Sequence, residues 1–265
     1  MTSRYDDILA RISSALDAAR EVFDKFTPGQ VQTAYKAGDD PVTAADHAVD
    51  AVLRAHLLRD GEGWLSEETV DSAARLAHKR AWVVDPLDGT REFVLGLPEF
   101  CVSIGFVENG RPVAGGIYNP ATKETFLGAV DCGVTYNGKP AQISQRATLD
   151  GALILASRSE VKRGDWKPFE NGSYKVQAMG SVAYKLALVS AGLADITFTL
   201  TPKNEWDVVA GAALVESAGG FVSTLDYKPL TANNANPLLS GLLACGPKLK
   251  EPMLALVDGH IPAAK

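Results

Sequence analysis

Cysteine, histidine and long apolar runs are all scarce in this chain of 265 residues, and each scarcity excludes a class of protein. The three cysteines lack CxxC spacing and histidine-rich neighbours, so zinc or disulfide roles are not expected. We predict buried, reduced thiols at Cys101, Cys132 and Cys245. No apolar run is long enough to cross a membrane, and the charged, amphipathic start of the chain lacks a secretory signal. These features favour a cytoplasmic protein without a membrane partner.

An excess of basic residues is also missing. The net charge of −6 argues against a dedicated nucleic-acid binder. It does not argue against a small anionic substrate, because bound metal ions can supply local positive charge. A hydrophobic fraction of 46% and a charged fraction of 22% are ordinary for a globular protein. The length suffices for one large domain or two small ones.

Helical and strand patterns alternate along the chain without a steady rhythm. Apolar residues at helical spacing predict four helices. Three of them span 5–26, 181–192 and 206–220, and the fourth begins after a capping Thr43. Alternating apolar and small residues predict strands before and after Asn109-Gly110 and Asn137-Gly138, which are typical hairpin turns. This mixture indicates an α+β fold of layered sheets and helices rather than a Rossmann-type fold.

The polar stretch 144–151 is the expected boundary between two halves of the chain. The first half, 1–146, carries most of the candidate site residues. The second half, 147–265, carries strands over 152–157 and 195–200 and a final strand pair, and it supplies Asp207.

The stretch WVVDPLDGTREF (82–93) is the most informative part of the sequence. Its apolar run ends in two carboxylates, Asp85 and Asp88. Because the residue before a proline favours extended geometry, Asp85 is expected to end the strand. Gly89 lets the backbone pass close to a ligand, and Thr90 begins the next segment. The turn therefore offers oxygen ligands for a hard divalent cation and backbone N–H groups for a phosphate.

Five acidic residues share one property, which is a position where an element begins or ends next to small residues. They are Asp46, Glu67, Asp85, Asp88 and Asp207. Each also has a structural explanation: Asp207 as a helix cap, Asp46 as a first-turn residue, and Glu67 as part of a solvated acidic loop. Two acids with proline, glycine and threonine at fixed offsets behind a buried strand favour a functional site over a plain turn.

These residues resemble the inositol monophosphatase superfamily of Mg²⁺-dependent, Li⁺-sensitive phosphomonoesterases. The resemblance lies in DDPVTAAD (39–46), WLSEE (64–68), WVVDPLDGTREF and EWDVVAG (205–211), which occur in the family's order over nearly the whole chain. Ser66 departs from the glycine of many members. The resemblance implies a layered α-β-α-β-α sandwich of the inositol monophosphatase and fructose-1,6-bisphosphatase type.

The resemblance also implies a cofactor set of two or three Mg²⁺ ions. Glu67, Asp85 and the backbone carbonyl of Leu87 would hold the first ion. Asp85, Asp88 and Asp207 would hold the second ion, and Glu67 with water would hold a weaker third. Magnesium prefers oxygen ligands and usually takes only one or two carboxylates.

The mechanism that the resemblance implies is in-line attack of a metal-activated water on phosphorus. Thr90, paired with Asp46, would orient and deprotonate this water together with Glu67. Backbone N–H groups of Gly89 and Thr90 would hold the phosphate oxygens. The substrate-binding residues implied in this way are Asp88, Gly89, Thr90, Lys185 and Asp207.

The choice of substrate is less clear from the sequence. Two features favour a 3′(2′),5′-bisphosphate nucleotidase, which converts adenosine 3′,5′-bisphosphate to AMP and phosphate. One is the sequence of the first three motifs. The other is Lys185, at a position where inositol phosphatases typically carry an amide. A solvated helix residue is an equally good explanation of Lys185. The segment GIYNPATKETFLG (116–128) resembles inositol-1-monophosphatases, which are the alternative, and Glu205 is a candidate there for binding a sugar hydroxyl.

More remote alternatives are fructose-1,6-bisphosphatase, histidinol-phosphatase and a non-catalytic regulatory binding protein on the same fold. The expected partner is a small phosphorylated substrate, with a homodimer also possible.

Overall fold

The computed structural model describes residues 3–36 and 41–260. Its helices are α1 (Asp6–Phe23), α2 (Ala44–Leu57), α3 (Thr90–Leu95), α4 (Arg158–Arg163), α5 (Val182–Ser190), α6 (Glu205–Ser217) and α7 (Lys250–Val257). Its strands are β1 (Thr33–Tyr35), β2 (Pro41–Thr43), β3 (Gly63–Ser66), β4 (Arg80–Asp88), β5 (Cys101–Glu108), β6 (Arg111–Asn119), β7 (Glu124–Ala129), β8 (Gly133–Tyr136), β9 (Lys139–Pro140), β10 (Leu153–Ser157), β11 (Lys175–Met179), β12 (Ile196–Thr199), β13 (Lys203–Asn204), β14 (Phe221–Thr224), β15 (Leu238–Leu239) and β16 (Leu242–Cys245).

Two large sheets organise these elements. The first has seven strands in the order β3-β4-β5-β6-β7-β8-β9 and is antiparallel except for the parallel pair β3–β4. The second has five strands in the order β11-β10-β12-β16-β14, in which β10 runs parallel to both of its neighbours. Two short pairs, β1–β2 and β13–β15, complete the strand pairing.

Helices cover the sheets in three layers. Helices α1 and α2 pack on one face of the seven-stranded sheet. Helices α5 and α6 lie between the two sheets, where they share one apolar core with residues of both. The outer face of the five-stranded sheet is covered by an apolar cluster that includes residues of α7. This order of layers confirms the predicted α-β-α-β-α sandwich.

The central helix α6 approaches the seven-stranded sheet unusually closely. A Cβ atom built on Gly115 of β6 would lie 2.3 Å from the carbonyl oxygen of Ala210, and one on Gly105 of β5 would lie 2.9 Å from the Ala210 nitrogen. Only glycine fits at such distances, because interiors are close-packed. This contact fixes the start of α6, and therefore Asp207, against the sheet that carries Asp85.

The predicted helices are confirmed with small changes at their ends, and so are the antiparallel strands of the first sheet. Thr43 caps α2, its side chain accepting a hydrogen bond from Ala45 N. The helices α4 and α7 and the strands β11, β13 and β15 lie where no element was predicted. A polar turn or short hairpin is predicted over 36–46, and residues 37–40 of this stretch lie outside the described residues. The division at residue 146 stays a prediction, since α6 of the second half packs against the first sheet.

Two predictions about individual residues are wrong. The strand β4 does not end at Asp85 but continues to Asp88 through a shift in register. Cys132 is exposed, because it lies in the turn between β7 and β8, whereas Cys101 and Cys245 are buried as predicted. No helix in the described part of the chain is long and apolar enough to cross a bilayer.

Candidate active site

A cleft of about 440 Å³ lies where the two sheets and α6 meet. The ends of β3 and β4 and the start of α3 form one wall. The β10–α4 segment, the β11–α5 loop and the start of α6 form the other. A cavity of about 550 Å³ lies elsewhere, beside the end of α1, but aromatic side chains line much of it and Asp24 is the one carboxylate in its lining. That cavity does not suit a multi-carboxylate metal centre.

Three acidic side chains that are remote in sequence meet in the cleft. Glu67 follows β3, Asp85 lies in β4, and Asp207 lies in the first turn of α6. One carboxylate oxygen of each lies within 4.8 Å of one from each of the others. The structure therefore brings together carboxylates from both halves of the chain, as the sequence predicts.

Asp85 and Asp88 line the same cleft because β4 is irregular between them. In a regular strand, side chains three residues apart point to opposite faces of the sheet. The pairing of β4 with β5 shifts register between these residues, a β-bulge that re-aims the second side chain. Both residues consequently border the cleft. The turn motif of the sequence is thus a bulge within a longer strand.

Asp88 is anchored to the start of α5. Its Oδ2 accepts hydrogen bonds from Ser181 Oγ at 2.7 Å and from Ala183 N at 2.6 Å. Ser181 has a backbone φ of +51°, which is uncommon for a residue with a side chain. Its hydroxyl also accepts a hydrogen bond from Tyr184 N, so this conformation is held from both sides. Sequence reasoning missed Ser181, although a serine before a helical pattern is a typical cap.

Burial and mutual repulsion both disfavour the charged forms of the acidic side chains. Burial, followed by the neighbouring charges of Glu67 and Asp88, raises the pKa of Asp85 well above its usual range. The same causes, with Asp88 ahead of Glu67, raise the pKa of Asp207 well above its usual range. Burial also raises the pKa of Glu67, although Lys36 opposes this from 3.0 Å.

These carboxylates fit a divalent metal ion on the chemistry of their donor set. They offer oxygen atoms alone, which Mg²⁺ prefers, and they are close enough for two or more to share one ion. A divalent cation would remove the repulsion that raises their pKa values.

Thr90 and Asp46 form a second polar group at the edge of the cleft. Thr90 Oγ1 lies 3.1 Å from Asp46 Oδ1 and 2.9 Å from the Leu87 carbonyl oxygen, and its single proton can be donated to either. Asp46 Oδ2 accepts hydrogen bonds from the Thr43 N and Oγ1, each at 2.7 Å. The capping box of α2 therefore holds the carboxylate in place and leaves Oδ1 for Thr90.

Gly89 cannot be replaced without strain. Its φ is +96°, and a Cβ atom there would lie 2.7 Å from the Glu99 carbonyl oxygen. The residue directs the chain from β4 into α3, which begins at Thr90. Both residues line the cleft.

Lys185 is buried rather than solvated, so the structural alternative for this residue is wrong. Its Nζ donates to the carbonyl oxygens of Ser181 at 2.9 Å and Gly180 at 3.3 Å, and the residue lines the cleft. Burial lowers its pKa to about 8, against the opposing effect of Asp88. The side chain extends back over the first turn of α5. The sequence pattern of the helix does not indicate this direction.

The two residues before Asp207 have different surroundings. Glu205 faces away from the cleft: its carboxylate accepts hydrogen bonds from Asn233 N and from the backbone and side chain of Asn234. It therefore anchors a loop and cannot bind a substrate hydroxyl. Trp206 is half-buried and lines the cleft besides packing on the core.

Comparison with known proteins identifies the family of this chain. The model of the inositol monophosphatase family matches residues 5–261. The inositol-1-monophosphatase of Mesorhizobium japonicum is 35% identical over 225 residues, which cover 81% of this chain and 84% of that protein. The 3′(2′),5′-bisphosphate nucleotidase CysQ of Salmonella typhimurium is 34% identical over 231 residues, with coverages of 82% and 90%. The solved inositol monophosphatase of Anabaena (Nostoc) has a TM-score of 0.81 at 29% identity and covers 98% of both chains.

The chain belongs to the inositol monophosphatase family. This membership confirms both the resemblance and the predicted enzyme class, a phosphoric monoester hydrolase. Enzymes of this family are metal-dependent, in agreement with the acidic cluster. The names of the relatives include inositol monophosphatases and a bisphosphate nucleotidase, so the family alone does not select a substrate.

Proposed function

We propose that this enzyme is a Mg²⁺-dependent 3′(2′),5′-bisphosphate nucleotidase that removes the 3′-phosphate of adenosine 3′,5′-bisphosphate. The observation that carries the proposal is the composition of the cleft. Five carboxylates and five basic side chains line it, namely Glu67, Asp85, Asp88, Glu92 and Asp207 and Arg91, Arg158, Arg163, Lys185 and Lys203. Each bound divalent ion adds two positive charges, so the loaded cleft suits a substrate with more than one phosphate.

The metal assignment follows the family resemblance and rests on the converging oxygens. We assign two or three ions to Glu67, Asp85, Asp88, Asp207 and the Leu87 carbonyl. Bound Mg²⁺ supplies positive charge that polarises the phosphate ester and lowers the pKa of a water molecule. The anchoring of Asp88 by α5 supports its role, because an immobilised carboxylate needs no reorganisation when it binds.

Thr90 and Asp46 move the proton in this proposal. Thr90 Oγ1 accepts a hydrogen bond from the attacking water while its own proton points to Asp46 Oδ1. Asp46 cannot swing away, because Thr43 holds its other oxygen. Glu67, which is partly exposed at the end of β3, orients the water together with Thr90. The N–H groups of Gly89 and Thr90 donate to the phosphate oxygens.

The buried Lys185 supports a nucleotidase over an inositol phosphatase, since a second phosphate favours an added cation. Inositol-1-monophosphatase remains the second candidate, supported by a relative of that name at 35% identity. Glu205 does not add to that candidate, since its carboxylate serves the 233–234 loop.

A phosphate-release panel tests the proposal. The purified enzyme is assayed with Mg²⁺ and with chelator on adenosine 3′,5′-bisphosphate, inositol 1-phosphate, fructose 1,6-bisphosphate and histidinol phosphate. We expect Mg²⁺-dependent release with the highest kcat/KM on adenosine 3′,5′-bisphosphate. A preference for inositol 1-phosphate would reject the nucleotidase and retain the metal chemistry. Equal release in chelator would reject the metal chemistry itself.

A further inference from the structure

Lys203 differs from Arg158 and Arg163, two other basic residues of the cleft, in its ion pairing. It lies in β13, is half-buried, and precedes the turn that carries Asp207. Arg158 forms ion pairs with Glu92 and Glu99, and Arg163 pairs with Asp165 at 2.8 Å. No carboxylate of residues 3–36 or 41–260 lies within ion-pair distance of Lys203 Nζ. Lys203 thus lacks the direct ion pair that Arg158 and Arg163 have, although its charge acts on the nearby Glu160, Asp88 and Asp207.

The side chain of Lys203 nevertheless belongs to the electrostatics of the cleft. Its charge acts on Asp88 and Asp207 and also on the buried Lys185. Two cations that share a cleft repel each other, and this repulsion contributes to the low pKa of Lys185. An anion that contacts both would relieve the repulsion.

The backbone that carries Lys203 is held by a buried carboxylate. Glu160 of α4 is fully buried and accepts hydrogen bonds from Thr201 N at 3.2 Å, Thr201 Oγ1 at 2.7 Å and Leu200 N at 3.2 Å. It also accepts hydrogen bonds from the Thr199 hydroxyl and from Trp166 Nε1 at 3.0 Å.

Burial acts to raise the pKa of Glu160, but these hydrogen bonds hold it below its usual value, so the carboxylate is charged. Its bonds join α4 to the turn at 199–201. The two cleft-lining segments 157–163 and 202–207 are therefore fixed relative to each other. A cation on such a wall is held in position before a ligand binds, and this preorganisation favours selective binding.

We propose that Lys203 is a specificity-determining residue that binds the second anionic group of the substrate, the phosphate that is not cleaved. This inference rests on the proposed nucleotidase function and names the residue that distinguishes a bisphosphate from a monophosphate. Lys185 and Lys203 contact that group from two sides. Glu160 is a positioning residue that acts through the 199–201 turn.

A competing role for Lys203 is that of a counter-ion to Asp88 and Asp207. The two roles predict different substrate dependence. A counter-ion affects every substrate alike, because it acts on the residues that serve the cleaved phosphate. A specificity residue affects only substrates with a second phosphate.

The test compares adenosine 3′,5′-bisphosphate with adenosine 3′-monophosphate, which carries the same cleaved group and lacks the 5′-phosphate. Kinetics are measured with Mg²⁺ for wild type, Lys203→Gln, Lys203→Arg and the matched control Lys139→Gln, whose lysine is exposed on β9. We expect Lys203→Gln to lower kcat/KM on the bisphosphate about 10- to 100-fold, mainly through KM, as for a lost hydrogen bond to a charged group. Activity on the monophosphate should change less than about threefold, and Lys203→Arg should retain most of the preference.

The outcomes separate the inference from the proposed function. Equal losses on both substrates, or an unchanged preference for the bisphosphate in Lys203→Gln, would overturn the inference and leave the nucleotidase standing. A wild type that prefers inositol 1-phosphate to either nucleotide would overturn the nucleotidase and the inference together. Glu160→Gln checks positioning: it should raise KM for the bisphosphate more than for the monophosphate while the melting temperature is followed in parallel.

Discussion

Replacing Asp207 with asparagine should stabilise the metal-free protein, although the residue belongs to the proposed metal site. Asp207 Oδ2 accepts a hydrogen bond from Asn204 N at 3.2 Å, and an asparagine side-chain oxygen can accept the same bond. The substitution therefore removes a charge without removing the helix cap. What it relieves is repulsion from Glu67 and Asp85 within 4.8 Å.

The magnitude follows from Coulomb's law. Two like charges 4.8 Å apart repel by about 3.5 kcal/mol at an effective dielectric constant of about 20. Proton uptake by the cluster and the nearby Lys36 reduce this, so we expect a gain of about 1–3 kcal/mol. For a protein of this size, that corresponds to a rise in melting temperature of roughly 3–10 °C. In Mg²⁺ the wild type should have the higher melting temperature, because the variant has lost a metal ligand and is stabilised less by metal binding.

Thermal unfolding is followed by circular dichroism at pH 8 in EDTA and in Mg²⁺, with the exposed Asp60→Asn as the control. The folded pKa of Asp207 is raised, so its charge destabilises the fold only as the pH rises above the ordinary value of 3.8. The advantage of Asp207→Asn in EDTA should therefore disappear toward pH 4. A variant less stable than wild type in EDTA at pH 8, or an equal Mg²⁺ shift in both proteins, would refute this reasoning.

Three further predictions address turnover and the thiols. Asp88→Asn should not lower the melting temperature in EDTA, because its side-chain oxygen can still accept the hydrogen bonds at the start of α5 and one charge of the acidic cluster is removed. It should lower kcat by about 10²–10⁴ with saturating Mg²⁺; near-normal kcat would reject the assignment. Thr90→Val should lower kcat about 10²- to 10³-fold while Thr90→Ser retains most activity, and equal activity of the two variants would exclude proton transfer through the hydroxyl. Cys132 should be the one thiol alkylated in the native protein and Cys101 and Cys245 should react after denaturation, as measured by mass spectrometry; native labelling of either buried thiol would contradict their burial.

Most of the fold was predictable from local pattern, and the exceptions have identifiable physical causes. The helices and hairpins follow apolar periodicity and turn residues, which act over a few positions. Helix α4 and strand β11 are short, and α4 ends at Gly164 after six residues, so their patterns are too brief to stand out. Their stability comes from tertiary contacts, since β11 pairs with β10 and α4 packs against these two strands, and local sequence does not encode such contacts.

The acids of the site were predictable as residue types, but their geometry was not. A proline-containing turn correctly indicated that something unusual follows Asp85. It did not indicate a bulge inside a continuing strand, because a bulge is defined by the partner strand. The burial of Lys185 and the outward direction of Glu205 depend on tertiary neighbours in the same way. Lys203 was missed because a single lysine carries no pattern, whereas the place of Ser181 before a helical pattern was a signal for a cap but not for a contact with Asp88.

The structural and functional explanations of the acids are compatible, because a carboxylate has two oxygens. Asp46 and Asp207 each use one oxygen for a helix capping box, and Asp88 uses one to hold the start of α5. The second oxygen of Asp46 accepts a bond from Thr90, whereas those of Asp88 and Asp207 accept none from the described residues. Local folding thus aims each side chain and leaves one oxygen for chemistry. For this reason asparagine variants remove the charge and keep the anchoring bond, whereas alanine variants would remove both together.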